Sequence, residues 1–371
     1  MNTAAVPRPA QSGTPRQPFV SFARGFAILT IVAFHFLQKV SLPPVLGLAV
    51  SLGGSGIFVY FFFSGYGLAR SSASNWLTFW RKRFIKVLVP YYVALVLIFA
   101  VIRFVPIYSV DGLTEYLSHF LLYKMFFLWY TRNLGEHLWF VSTIVQFYLA
   151  LPLLLRWQSR VRPGRFILGV FLTSLAYSSL IVWLGVDWQR IWFSFFLQYV
   201  WVYGLGMAVS RESWLAAWIA RPWFIYVGLA ALAGVVVILL ARYFGSLSGL
   251  FNDYFMFLVY ASALVLLYRL SCVWTPFQRF IRWVESFSYS LYLTHILVFD
   301  LYRYFLHGRA LLVLDVLIIA LLAVGVAIVF QKFTDRILQL PLFQTDAKAI
   351  PAGALIPENR PPSAAVGSRT S

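Results

Sequence analysis

Two ionisable side chains, Arg24 and His35, stand inside the apolar run 19–37, FVSFARGFAILTIVAFHFL. A charge in the inner part of a bilayer costs about 2.5–3.5 kcal/mol, so residues of this kind mark function by default. Eleven residues at 100° each come within about 20° of three full turns, which puts both side chains on one helix face. At 1.5 Å per residue they lie roughly 16 Å apart along the axis. An imidazole, with an unperturbed pKa of about 6.5, is suited to take a proton at neutral pH. The plainer alternative has Arg24 snorkelling to the headgroups and His35 packed as a hydrogen-bonded core residue. Gln38, one turn beyond His35, favours the functional reading.

Other polar residues interrupt apolar runs. Ser64 lies in FFFSGY, where a small Ser-Gly step allows either close helix packing or contact with a substrate. Gln146 sits well within the run 138–155 and needs partners, which helix–helix ties alone could supply. Ser288, Tyr292 and His295 recur at i, i+4 and i+7, on one face of a helix. A hydroxyl, a phenol and an imidazole so aligned can line a polar cavity or form a structural ladder. Arg81, Lys82, Arg83 and Lys86 precede Pro90; they serve as topogenic charges or as a cradle for the phosphates of a charged cofactor. Of the five histidines, His119 falls in a loop, and His137 and His307 fall near the ends of spans. No metal-ligand spacing, Gly-rich phosphate loop or G-x-S-x-G elbow is present, so no metal site is expected.

These residues need a membrane scaffold to position them. Over 371 residues the chain is 61% hydrophobic and only 11% charged, which excludes a soluble domain of this length. Spans are predicted at 19–37, 50–69, 84–105, 138–155, 166–186, 190–209, 222–242, 251–269, 287–306 and 310–331: an all-α, polytopic bundle of about ten transmembrane helices. The first span is expected to stay uncleaved, since Lys39, Pro43 and Pro44 follow it in place of a small-residue cleavage site. The segment 116–130 is apolar but short, and reads as an interfacial or re-entrant helix. With a cytoplasmic N-terminus, roughly two-thirds of the Lys and Arg fall in cytoplasmic segments, as the positive-inside rule requires. The net charge of +18 is then a collar facing anionic lipid headgroups, and nucleic acid is not an expected partner. Residues 1–18 and 337–371, rich in Pro and Ala, are expected to be disordered cytoplasmic tails around a membrane domain at 19–336. A single cysteine, Cys272, excludes an intramolecular disulfide.

In order and spacing, these motifs resemble the acyltransferase 3 family, integral membrane O-acyltransferases that modify bacterial surface carbohydrates. The resemblance runs from about 19 to 335. It rests on the Arg-x10-His pattern of Arg24 and His35, with FFFSGYGL at 61–68, RKRFIKVLVP at 81–90, HLWFVSTIVQFYLALPLLL at 137–155 and SYSLYLTH at 288–295. Many members carry two acidic residues where this chain has Ile144 and Val145, and Arg is frequent at the place of Lys86. The resemblance implies acyl-CoA, most often acetyl-CoA, as a cytoplasmic donor substrate, with no permanently bound cofactor. It also implies a carbohydrate or lipid-linked glycan acceptor, and the cytoplasmic (inner) membrane of a bacterium as location. On that basis His35 is the expected catalytic base, Arg24, Arg81 and Arg83 hold the CoA phosphates, and Ser64, Gln146, Tyr292 and His295 line the substrate cavity. The rival reading is a polysaccharide exporter or proton-coupled transporter, because intramembrane His and Arg also serve proton relays.

Overall fold

The computed structural model describes residues 17–70, 75–109, 112–127, 130, 135–211, 213–245, 248–307 and 309–344. The expected tails lie outside these residues, apart from 17–18 and 337–344. Where the tail was expected to begin, the last helix continues to Leu338.

Among the described residues the fold is helical, without strands. The helices are α1 (Pro18–Leu37), α2 (Pro44–Gly53), α3 (Gly56–Leu68), α4 (Trp76–Phe104), α5 (Leu113–Phe120), α6 (Trp139–Arg160) and α7 (Pro163–Trp183). After a single turn at Arg190–Phe193 come α8 (Phe196–Arg211), α9 (Trp214–Ile219), α10 (Trp223–Phe244), α11 (Ser248–Val273), α12 (Thr275–Ser286), α13 (Ser288–Phe305) and α14 (Val313–Leu338). Their starts follow local chemistry. Pro18 and Pro163 occupy first-turn positions, where a missing N–H costs nothing. The Asn75 side chain accepts from the backbone N–H groups of Leu77 and Thr78 at 2.9 and 3.2 Å and caps α4.

Among the described residues, nine helical segments are long and apolar enough to cross a membrane. The tenth expected span, α13, is less apolar. It is 18 residues long and carries Ser288, Ser290, Thr294, His295, Asp300 and Arg303. Its polar first half is buried against protein, where partners replace lipid. Several expected boundaries differ: the span 190–209 is interrupted at Ser194–Phe195, between the turn Arg190–Phe193 and α8, and the last span runs on to Leu338. The span 50–69 is broken at Gly54–Ser55 into α2 and α3, and the third span starts at Trp76 rather than 84, so Arg81 to Lys86 are already helical.

α1 packs on α2, α3, α12 and α13. Two close approaches fix this core. A Cβ on Gly65 would overlap the Tyr203 carbonyl and one on Gly206 the Phe62 carbonyl, so α3 and α8 touch backbone to backbone. A Cβ on Gly25 would likewise overlap the Ile281 carbonyl, which seats the amphipathic α12 against α1. The segment after α4 folds as a cap. Its helix α5 turns Glu115, Ser118 and His119 inward and leaves Leu113, Leu117 and Leu121 exposed. Tyr91 donates to the His119 carbonyl (3.1 Å) and Tyr92 to the Phe120 carbonyl (2.9 Å), tying the cap to α4.

Candidate active site

A cleft of about 490 Å³ enters the bundle at the end where α1 begins. α1 supplies Arg24, α3 supplies Ser64, and α4 supplies Arg83 and Lys86. Its inner walls include Phe140 from α6 and Tyr292 from α13. Two carboxylates, Glu285 and Asp335, also line it. Arg24 lies 3.8 Å from the Glu285 carboxylate and 5.7 Å from the centre of the Tyr60 ring. Tyr60 in turn donates to the Arg24 carbonyl at 2.9 Å. On the opposite wall Ser290 donates to Gln331 (2.6 Å), and the Gln331 amide donates to Asp335 (2.7 Å). The cleft thus gathers three cations, Arg24, Arg83 and Lys86, with Glu285 facing Arg24.

Beyond the inner walls, three histidines from three helical segments meet. The ring of His35 lies 5.3 Å from that of His295 and 6.5 Å from that of His137, and His137 lies 4.9 Å from His295. Tyr292 stands between this cluster and the cleft. Its ring is 5.5 Å from Phe140 and 5.3 Å from His137, and its hydroxyl donates to the His137 carbonyl. The state of His295 follows from its neighbours. Nδ1 lies 3.0 Å from the Leu291 carbonyl and 2.8 Å from the Tyr292 carbonyl, and carbonyls can only accept. Nδ1 therefore carries a proton, and Nε2 is buried with no hydrogen-bond partner among the described residues. His35 is half-buried, with the Gln38 amide 3.5 Å from its Nδ1. No group of His, Cys, Asp and Glu among the described residues has the arrangement of a metal site.

The expected residues therefore fall into three sets. Arg24, Arg83, Ser64 and Tyr292 line the cleft. His35 and His295 lie beyond Tyr292, together. Arg81 is exposed and Gln146 is elsewhere; neither lines the cleft. The Gln146 carbonyl oxygen accepts from the Phe196 N–H at 3.2 Å, joining α6 to the start of α8. Two residues were not anticipated. His137 lies at the start of its span, and only its convergence with α1 and α13 reveals it. Glu285 belongs to α12, whose alternation of Arg and apolar residues in TPFQRFIRWVES was the available signal.

These features define a polytopic helical membrane protein with a cationic cleft and, behind Tyr292, a cluster of three imidazoles. The model of the acyltransferase domain family, acyltransferase 3, matches residues 17–332, and the chain belongs to that family. It is a membrane acyltransferase. No curated protein and no solved structure matches the chain.

Proposed function

We propose that the protein is an O-acyltransferase of a bacterial cytoplasmic membrane. It moves an acyl group, acetyl in the simplest case, from cytoplasmic acyl-CoA to a hydroxyl of a cell-surface or exported carbohydrate. The observation that supports this reading is a cationic cleft whose inner wall, Tyr292, is packed against a cluster of three imidazoles. Arg24, Arg83 and Lys86 stand at one end of the cleft, and the histidine cluster packs behind Tyr292 at the other. A CoA phosphate would pair with the guanidiniums, Arg24 exchanging Glu285 for the donor. The pantetheine arm would run along the cleft, past Ser64, toward Tyr292.

At the far end His35 takes the proton of the acceptor hydroxyl, a step by which a positioned base contributes about 10²–10⁴-fold. The oxygen bonds to the thioester carbonyl carbon, the carbon–sulfur bond breaks, and the CoA thiolate leaves and takes up the proton. Nε2 of His295 orients the hydroxyl or the His35 ring. Ser64 and Tyr292 position the donor.

Purified protein in proteoliposomes, given acetyl-CoA and candidate glycans, tests the reading. Acylated glycan supports it, while unmodified glycan carried across the membrane would replace it with export. Incubation with radiolabelled acetyl-CoA and no acceptor should leave the protein unlabelled. Stable label on His35 or Ser64 would replace direct transfer with an acyl-enzyme relay.

A further inference from the structure

A second cavity, of about 400 Å³, lies among α1, α3, α8, α9, α10 and α11. Among the described residues, every side chain lining it is apolar except Arg221. It shares only Phe63 with the donor cleft. The α10–α11 pair forms its outer wall. The two helices pack closely on each other, and α10 has little contact with the rest of the bundle.

The cavity is open on one side, where Trp214 and Ala217 are exposed, and left empty its apolar lining would forfeit packing. Water does not fill it, because a buried water needs polar partners. The phase around these helices supplies acyl chains instead. The mouth also carries the marks of a headgroup site. Arg221 is exposed at the turn between α9 and α10, and among the described residues no ion pair neutralises it. Arg269 donates to the Ile219 and Arg221 carbonyls and orders that turn. Trp214 and Trp218 line the cavity and Trp223 is exposed beside it, at the level where indoles meet headgroups. Basic pockets between membrane helices on the cytoplasmic side hold anionic headgroups.

We infer that this cavity is a binding site for one anionic glycerophospholipid, its acyl chain between α3, α8 and α11 and its phosphate on Arg221. The site is separate from the donor cleft and does not depend on the proposed reaction.

The full chain, extracted in mild detergent and examined by native mass spectrometry, should retain one phospholipid. After delipidation, phosphatidylglycerol vesicles should raise its melting temperature more than phosphatidylcholine vesicles do. Arg221→Gln should weaken phosphatidylglycerol binding about fivefold and abolish the difference between the two lipids. Ala217→Phe, placed at an exposed position on the lining, should displace the lipid while the protein stays folded; Ala261→Phe repeats the test from α11. Equal binding of both lipids by the unaltered chain would overturn the anionic site. Full retention of lipid by a folded Ala217→Phe or Ala261→Phe variant would overturn its location.

Discussion

Arg81 and Arg83 are two residues apart, yet they reach different places. On a helix that spacing turns the side chains by about 200°, so Arg83 faces the cleft while Arg81 is exposed. Arg83→Gln should therefore raise KM for acyl-CoA by about tenfold or more, the worth of a charge-assisted hydrogen bond at 1.5–3 kcal/mol. Arg81→Gln should leave it nearly unchanged, and equal effects would assign both residues to orientation in the membrane. For His35→Ala we expect loss of transfer with donor binding retained, measured by turnover beside equilibrium binding of a non-hydrolysable acyl-CoA. Substantial residual turnover would remove His35 from the chemistry. Arg24 and His35 were legible because each charge or imidazole stands alone in an apolar run. His137 and Glu285 were not, since their value comes from neighbours on other helices. No spacing within one segment records that His35, His137 and His295 meet.

At the scale of elements, the cap after α4 reverses the usual amphipathic rule. Glu115, Ser118 and His119 face in, while Leu113, Leu117 and Leu121 face out. Burial, and then the nearby Lys124 ammonium, push the His119 pKa down to about 2. Burial pushes Lys124 down to about 7 against the pull of Glu115 and Glu136. The unfolded cap binds a proton at His119 once pH falls below about 6.5, whereas the folded cap does not until about 2. Stability is therefore lost as pH falls through that window, by about 2 kcal/mol between pH 6.5 and 5. Hydrogen exchange of residues 113–127, corrected for intrinsic rates, should show weaker protection at pH 5 than at pH 7, and His119→Phe should flatten the difference. Protection independent of pH in the unaltered chain would refute this account. The α3–α8 crossing makes a simpler claim. Gly206→Leu forces two backbones apart and should lower the melting temperature sharply, whereas Gly67→Ala, with open space around it, should not. The spans themselves were legible from apolar length. The break at Gly54 was masked, although Gly53-Gly54-Ser55-Gly56 carries a breaker signal, because apolar residues flank it on both sides.

For the whole molecule, spans joined by short connections alternate in direction, so the end bearing the start of α1 also bears the basic segments before α4, after α6, after α8 and around α12. If that end is cytoplasmic, a cysteine at Ser159, on a chain with Cys272 replaced, should react with an impermeant thiol reagent only in inverted vesicles. One at Trp188 should react in intact cells, and the reverse pattern would invert the orientation. Charge asymmetry is the basis of the expected orientation, while the polar α13 shows where hydropathy alone falls short. That helix has a consequence for biogenesis. A segment carrying His295, Asp300 and Arg303 is poorly retained by lipid on its own merits. The strongly apolar α14 follows it and packs along it. Insertion of α13 should therefore wait for α14, the two entering as a hairpin. The histidine cluster would then be assembled last, and a nascent chain released before α14 would stay inert.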